Sequence, residues 1–211
     1  MAAAEKKKPA AVVRSTKTRI AEGAAQLFVR NGYDGTSMRE LARRVGLKPS
    51  SLYGHVKSKQ ELLFRVMERL MDEVLANAQE ALRGSNEPAE LVGRLVRANI
   101  CQTGPIETAL LQSELKNLKP RYRAEIVRKQ REYRNLWLGV LSVGTDQGIF
   151  KIKDAKLIFL GIDGALTHVE RWFKPGGRLS REEIAAVFTD WILVSLGYEP
   201  RSLTVSKGEQ P

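Results

Sequence analysis

Few side chains in this 211-residue sequence have the chemistry of a catalytic centre. There are two histidines, His55 and His168, and one cysteine, Cys101, in three separate regions. One cysteine cannot form an intramolecular disulfide or a cysteine-rich zinc site, and two distant histidines without a glycine-rich phosphate loop do not assemble a catalytic group. Asp163 and His168 are five residues apart, a poor spacing for a pair on one helical face. We therefore expect no enzyme, no metal site and no cofactor.

Positive charge is the more informative chemistry. The chain has 35 Lys and Arg against 24 Asp and Glu, a net charge of +11. Residues 1–64 contain 13 of the basic and only 5 of the acidic residues, so less than a third of the chain carries most of the excess. Such a concentration is typical of a protein that binds phosphate, and the alternative is a solvated basic surface.

The compartment follows from what the composition excludes. No run approaches the roughly 18 apolar residues that a membrane span requires. Residues 1–13 are rich in Ala, Lys and Pro without an apolar segment, so we expect a disordered basic arm rather than a secretion signal. With one cysteine, the expected location is the reducing cytoplasm, without a membrane partner.

The elements that position the basic residues are predicted to be helices. The first spans about Thr16 to Asn31, because Ile20, Ala24, Leu27 and Phe28 recur on one helical face. A second, short helix begins at a capping box of Ser37 and Glu40 and ends at Gly46. A third spans Pro49 to His55, with proline at the first helical position.

The rest of the chain repeats the helical pattern. A capping box of Ser58 and Glu61 opens a long helix that stops at Gly84. No strand is predicted, so the fold class is all-α: a helix-turn-helix domain over residues 14–64, joined by the long helix to a larger domain over 65–198, with a tail over 199–211. The further helices are predicted from Pro88 to Gly104, Ile106 to Leu118, Tyr122 to Val143, Asp154 to Phe173 and Ser180 to Gly197.

Two short helices joined by a glycine-containing turn form a helix-turn-helix candidate. The residues from about Arg14 to Phe64 closely resemble the N-terminal DNA-binding domain of the tetracycline-repressor (TetR) family. The motifs that carry this resemblance are Thr36-Ser37-Met38-Arg39-Glu40-Leu41-Ala42, Val45-Gly46-Leu47, Ser51-Leu52-Tyr53-Gly54-His55-Val56, and Lys59 with Glu61-Leu62-Leu63.

The resemblance implies contacts with double-stranded DNA. Helix N-termini present unpaired amides, so Thr36 and Ser37 are expected to hold phosphates at the start of the second helix. Ser51, Tyr53, His55 and Lys59 match family positions that grip the DNA backbone. Tyr53 and His55 also have purely structural interpretations. Base recognition is assigned to the leading end of the third helix, at Lys48, Pro49 and Ser50.

The resemblance also implies a C-terminal domain that binds a small ligand and dimerises through its last two helices. Both helices are apolar on more than one face, which suits either an internal core or a subunit interface. The residues expected at a homodimer interface are Ile184, Val187, Phe188, Trp191 and Val194.

An acyl-CoA is the expected effector. Eight basic residues lie between Lys116 and Arg134, either as a phosphate site or as a solvated helix face. The spacing of Tyr133, Trp137 and Trp172 resembles acyl-CoA-responsive members, although Thr167-His168 stands where that branch often has Asn-Trp. The resemblance implies that Arg134 and Arg171 meet the CoA phosphates. The acyl channel would then be bordered by Leu111, Trp137, Phe159, His168 and Trp172.

The resulting hypothesis is a homodimeric repressor that a small hydrophobic effector releases from its operator. Two alternatives stay open. The first is an effector-independent regulator with a close-packed C-terminal interior. The second is an architectural or membrane-surface protein that uses basic charge without reading sequence.

Overall fold

The computed structural model describes residues 15–199, apart from the side chains of Pro105 and Glu107. This range forms nine α-helices and one 3-10 turn and contains no strand, so the all-α prediction is confirmed. The expected basic arm, Arg14 and residues 200–211 of the expected tail lie outside the described residues. The helices are α1 (Thr16–Gly35), α2 (Met38–Arg44), α3 (Pro49–His55), α4 (Lys59–Ala81), α5 (Pro88–Gln102), α6 (Pro105–Ser113), α7 (Pro120–Asp146), α8 (Ala155–Trp172) and α9 (Arg181–Ser195), with the 3-10 turn at Leu115–Asn117.

Side-chain caps define several helix starts. Ser180 and Glu183 form a complete capping box before α9. At α2, the Ser37 hydroxyl accepts a hydrogen bond from the Glu40 amide at 3.1 Å. The Glu40 carboxylate, however, accepts from the Asn31 amide group at 3.1 Å. The expected capping box is therefore present only in its serine half, because α1 supplies a competing donor.

One expected helix is two elements in the structure, and the next helix begins two residues earlier than expected. The segment from Ile106 to Leu118 is two elements, since α6 ends at Ser113 and a 3-10 turn follows. The Glu114 carboxylate accepts a hydrogen bond from Asn117 at 2.7 Å, and the Asn117 amide bonds back three residues to the Glu114 carbonyl. Pro120 begins α7. Proline suits this first helical position because the N–H that it lacks would have no partner within the helix.

The chain divides into two compact units, one up to Val66 and one from Met67. The core of the first unit draws on every helix in it, including Phe28, Leu41, Leu52 and Leu63, all at most 1% exposed. These are the residues that the helical periodicity places on inward faces. The core therefore fixes α2 and α3 and leaves the opposite side of α3 exposed.

In the second unit, the contact between α5 and α9 is the most extensive between any two helices. A Cβ atom at Gly93 would lie 3.1 Å from Cγ2 of Thr189, so glycine permits this close approach. The core also holds Trp137 of α7 and Phe159 of α8, whose ring centroids are 6.4 Å apart. The same helices, α5, α7 and α8, provide the walls of a cavity.

Candidate functional site

The turn between α2 and α3 is held by backbone geometry. Gly46 has φ +68°, a left-handed conformation that favours glycine. The Leu47 amide donates to the Ala42 carbonyl at 2.8 Å, and the Arg19 guanidinium donates to the Val45 carbonyl. These contacts fix the direction in which α3 leaves the turn.

One face of α3 is exposed and polar. Leu52 is fully buried, which orients the helix, while Lys48, Pro49, Ser50 and Ser51 are exposed. Tyr53 is 53% exposed, so its phenol is available to a partner rather than packed in a core. His55 is half-buried at the end of the helix. The structure thus leaves the expected base-reading residues exposed at the start of α3, together with Ser51 and Tyr53.

Thr36 lies elsewhere than expected. Its side chain is only 2% exposed, and its hydroxyl donates to the carbonyls of Leu27 and Gly32 at 3.1 and 2.9 Å. Since the hydroxyl is used inside the unit, we correct its expected role from phosphate ligand to stabiliser of the end of α1. Ser37 remains exposed and keeps its hydroxyl proton available, because its oxygen accepts the α2 cap.

Lys59 is also engaged within its unit. Its ammonium donates to the carbonyls of Tyr33 and Thr36 at 2.8 and 3.0 Å and lies 4.2 Å from the centroid of the Tyr33 ring. The side chain therefore caps the end of α1. An ammonium has three N–H donors, so the expected phosphate contact of Lys59 stays a prediction that depends on the third.

The second unit contains a cavity of about 510 Å³. Of the seven residues expected at the effector pocket, Leu111, Arg134 and Phe159 line this cavity. The lining comes from five helices and the α5–α6 connection: Met71, Val74, Asn99, Thr103, Thr108, Leu111, Gln112, Val127, Gln130, Arg131, Tyr133, Arg134, Phe159, Leu160, Asp163 and Thr167.

The other four expected pocket residues lie outside this cavity. Trp137 is 1% exposed and belongs to the core. Arg171 is exposed near the end of α8 and lines no described cavity. His168 and Trp172 line a separate apolar groove between α8 and α9. We therefore correct the expected pocket: helical periodicity indicated that these residues share α7 and α8, but not which neighbouring helix each one faces.

The cavity holds ionisable and hydrogen-bonding groups that the sequence reading did not assign to it. Asn99 donates to the Tyr133 hydroxyl at 3.1 Å. Burial raises the pKa of Tyr133 to about 12 and raises the pKa of the Asp163 carboxyl. Within residues 15–199, Nε of Arg134 is buried without a hydrogen-bond partner. Asn99 and Asp163 could have been found as polar interruptions of the apolar faces of α5 and α8.

The groove between α8 and α9 continues into exposed apolar side chains. Val187, Phe188 and Trp191 of α9 line it beside His168 and Trp172. Leu157 and Leu160 of α8 and Val194 of α9 are each more than 60% exposed. Ile184, expected at the dimer interface, is instead 3% exposed and part of the core, because it begins the inward face of α9. The other four expected interface residues lie on the groove or the exposed face.

Neither a metal-binding cluster nor a membrane span is found in the part of the chain that the structure describes. Within residues 15–199, no group of three or more His, Cys, Asp or Glu side chains is placed to hold a metal ion. None of the helices in that range is both long enough and apolar enough to cross a membrane.

Comparisons with known proteins match both units. Residues 20–66 match the model of bacterial regulatory proteins of the tetR family, and residues 85–196 match that of the tetracyclin repressor-like C-terminal domain. The transcriptional repressor KstR2 of Mycolicibacterium smegmatis is 27% identical over 200 residues, which cover 93% of this chain and 94% of the relative. Both the family and this relative are transcriptional regulators rather than enzymes.

Solved structures agree with these matches. The TetR-family regulator PfmR of Thermus thermophilus is 29% identical with a TM-score of 0.75, covering 83% of this chain and 97% of that one. AibR, in complex with isovaleryl coenzyme A and operator DNA, is 28% identical with a TM-score of 0.77, covering 84% and 97%.

Proposed function

The chain belongs to the TetR family of bacterial regulatory proteins, and on that premise we propose that it is a homodimeric repressor that an acyl-CoA releases from its operator. The observation that carries the DNA-binding part is the polar face of α3, presented by a unit rich in basic residues. The effector part is supported by the cavity in the second unit and by the AibR structure, which contains both isovaleryl coenzyme A and DNA. Such a regulator acts in the cytoplasm.

We assign the DNA contacts to exposed residues. Lys48, Pro49 and Ser50 begin α3 and are proposed to meet base edges, where lysine donates to guanine acceptors. Ser37, Ser51, Tyr53 and His55, with the third N–H donor of Lys59, are proposed to hold phosphates, which position the protein without reading sequence. Thr36 is left out because its hydroxyl is used in the interior.

Effector response requires a difference in affinity between two conformations. Met71 and Val74 of α4 line the cavity, and the same helix begins at Lys59 in the DNA-binding unit. We propose that an occupied cavity favours a different position of α4. In a dimer, this changes the spacing of the two α3 helices away from one turn of DNA, about 34 Å.

The proposed dimer uses the exposed apolar face of α8 and α9. Trp191 is 52% exposed, and the groove beside it is lined by Trp172 and Phe188. Large exposed apolar patches on a folded domain are typical of protein interfaces. A second copy would cover the same residues on both chains, as two-fold symmetry requires.

The function is tested by fluorescence anisotropy with labelled DNA from upstream of the protein's own gene, against unrelated DNA. We expect specific binding whose affinity falls steeply with salt, log K decreasing by roughly 0.9 per phosphate neutralised. An acyl-CoA of one chain-length class should release the DNA. Specific binding that is unaffected by every acyl-CoA would favour the effector-independent regulator, and equal affinity for both DNAs would favour the architectural protein.

A matched pair of variants tests the assignment to α3. We expect Lys48→Ala to lower specific affinity about tenfold, with a smaller effect on unrelated DNA, since a good base contact is worth about 1–3 kcal/mol. Lys153→Ala removes the same charge from an exposed position in the second unit and should change neither affinity. Equal losses from both variants would contradict a base contact at Lys48.

A further inference from the structure

The lining of the 510 Å³ cavity combines apolar surface with polar side chains. Six of its lining side chains are apolar and ten are polar. An alkyl chain that fills this space would remove water from the polar groups without replacing their hydrogen bonds, which is unfavourable. Polar wall groups that have no partner within the protein therefore favour a ligand with its own polar group inside the cavity.

Several of the polar lining groups already have partners. The Thr167 hydroxyl donates to the carbonyls of Asp163 and Gly164 at 2.7 and 3.3 Å, both within its own helix. Asn99 donates to the Tyr133 oxygen at 3.1 Å. Because Tyr133 accepts this bond, its own O–H proton remains available to donate.

Asp163 supplies the complementary group. No hydrogen bond to its carboxyl oxygens is found within residues 15–199, although the side chain is half-buried. Its charge also contributes to the raised pKa of Tyr133, as expected for groups that face the same space from α8 and α7. Besides the buried Nε of Arg134, the cavity thus presents a free donor at Tyr133 and a free acceptor at Asp163.

We propose that the effector is an acyl-CoA whose acyl group carries a hydroxyl, which accepts a hydrogen bond from Tyr133 and donates one to Asp163. This inference rests on the proposed function, since it names the chemical class of the effector within the acyl-CoAs. A hydroxyl is the small group that satisfies both partners at once. A ketone accepts from Tyr133 but leaves the Asp163 carboxylate without a donor, and a methylene satisfies neither.

The energetic consequence is discrimination by the acyl group. A site built to hydrogen-bond a substrate hydroxyl rejects the analogue that lacks it, because the protein groups stay buried and unpaired. We expect a hydroxyacyl-CoA to bind at least tenfold more tightly than the acyl-CoA of equal length. The pair Tyr133 and Asp163 therefore acts as a specificity determinant.

The experiment measures binding to the full-length protein by isothermal titration calorimetry, and release of labelled operator DNA by anisotropy. The probes are butanoyl- and octanoyl-CoA, their derivatives hydroxylated at carbon 3 or at the end of the chain, and the 3-oxo derivatives. The quantity of interest is the ratio of the hydroxyacyl affinity to the parent affinity, since a loss of folding would not change this ratio selectively.

Two conservative variants and two controls locate the contact. Tyr133→Phe removes only the hydroxyl and Asp163→Asn keeps the size, and each should reduce the ratio severalfold, because the hydroxyacyl-CoA loses a partner that the parent acyl-CoA never had. Tyr122→Phe makes the same change on α7 outside the cavity lining, and Asp146→Asn changes an exposed carboxylate at the end of α7. Both controls should keep the wild-type ratio.

The outcomes separate this inference from the proposed function. If parent acyl-CoAs release the DNA and every hydroxylated or oxo derivative binds equally well, the hydroxyl site is overturned while the acyl-CoA repressor stands. A preference for the 3-oxo derivative, or a hydroxyl preference that survives in both variants, also overturns it. If specific DNA binding is unaffected by all the probes, the acyl-CoA effector and the hydroxyl site fail together.

Discussion

At the scale of single residues, Thr36 has a structural role in place of its expected role at the DNA. Its buried hydroxyl links the Leu27 and Gly32 carbonyls, where α1 departs from regular helix. We expect Thr36→Val to lower the free energy of unfolding by about 1 kcal/mol, the net contribution of a typical intramolecular hydrogen bond. Thr36→Ser keeps the hydroxyl and should lose less stability.

Urea denaturation of the two Thr36 variants measures this effect, and anisotropy at a temperature where both are folded measures DNA binding. We expect folded Thr36→Val to bind DNA with nearly wild-type affinity. A variant as stable as the wild type that has lost specific DNA binding would restore Thr36 to the phosphate contacts.

Asp163 gives a prediction for the dependence of stability on pH. Burial raises its pKa, so the folded protein binds this proton more tightly than the unfolded chain does. Above the folded-state pKa of Asp163, the ionised carboxylate therefore lowers the free energy of unfolding. This loss shrinks as pH falls and is absent below about 4, the pKa of Asp163 in the unfolded chain. Asp163→Asn should raise the melting temperature at pH 8, with a smaller gain near pH 4.

Thermal unfolding followed by circular dichroism at both pH values tests the sign. Asp146→Asn, at an exposed position, serves as the control and should have little effect at either pH. A gain for Asp163→Asn that grows as pH falls would contradict the raised pKa of Asp163.

At the scale of elements, one ion pair joins two helices of the cavity wall. Lys129 of α7 is 8% exposed, and its ammonium contacts the Asp72 carboxylate of α4. Met71 and Val74 flank Asp72 in the wall contributed by α4, and Val127 and Gln130 flank Lys129 in that of α7. The pair therefore fixes the spacing of two helices on which the cavity depends.

Removing one partner should be worse than removing both. We expect Asp72→Asn to lower the free energy of unfolding by about 1 kcal/mol, since it leaves a buried ammonium without its carboxylate, although Asp72 itself is largely exposed. The double variant Asp72→Asn with Lys129→Met should recover part of this loss. Glu73→Gln breaks an exposed pair with Arg69 in the same helix and should cost only about 0.3 kcal/mol.

Urea denaturation of the wild type, these three variants and the single variant Lys129→Met measures these differences. A double variant less stable than the sum of the two single changes would show that the ion pair is not the source of the effect. An Asp72→Asn variant as stable as Glu73→Gln would indicate that the Lys129 ammonium finds another acceptor.

At the scale of the whole molecule, the apolar face of α8 and α9 predicts the assembly. We expect sedimentation velocity to give a dimer for the wild type and a monomer for Trp191→Glu, because a carboxylate at a buried interface position has no partner. Specific DNA affinity should fall with the dimer, since two linked contacts bind more tightly than one. Val143→Glu changes a similarly exposed apolar residue on α7 and should leave the dimer intact.

A monomeric wild type would exclude this assembly. If Trp191→Glu stays dimeric while Val143→Glu dissociates, the interface lies on α7 instead. Both results can be read from the same sedimentation experiment at a concentration where the wild type is fully associated.

Local signals in the sequence account for the ends of several helices. The limits of α3 follow from Pro49 and from the apolar pair Leu52 and Val56, and the turn before it follows from Gly46. These features depend on residues within about one helical turn of each other, where propensity, capping and periodicity act. The family could also be identified from the sequence, because its motifs combine such local signals in a fixed order along the chain.

Which neighbour each inward face meets follows from the packing of distant helices. Periodicity placed Trp137, Ile184 and His168 on apolar faces, but whether each met core, cavity or groove depended on helices far away in the sequence. Likewise, the carbonyls that accept hydrogen bonds from Lys59 belong to residues more than 20 positions away in the sequence. The opposition of Tyr133 and Asp163 arises in the same way, because α7 and α8 face each other across the cavity only after the chain has folded.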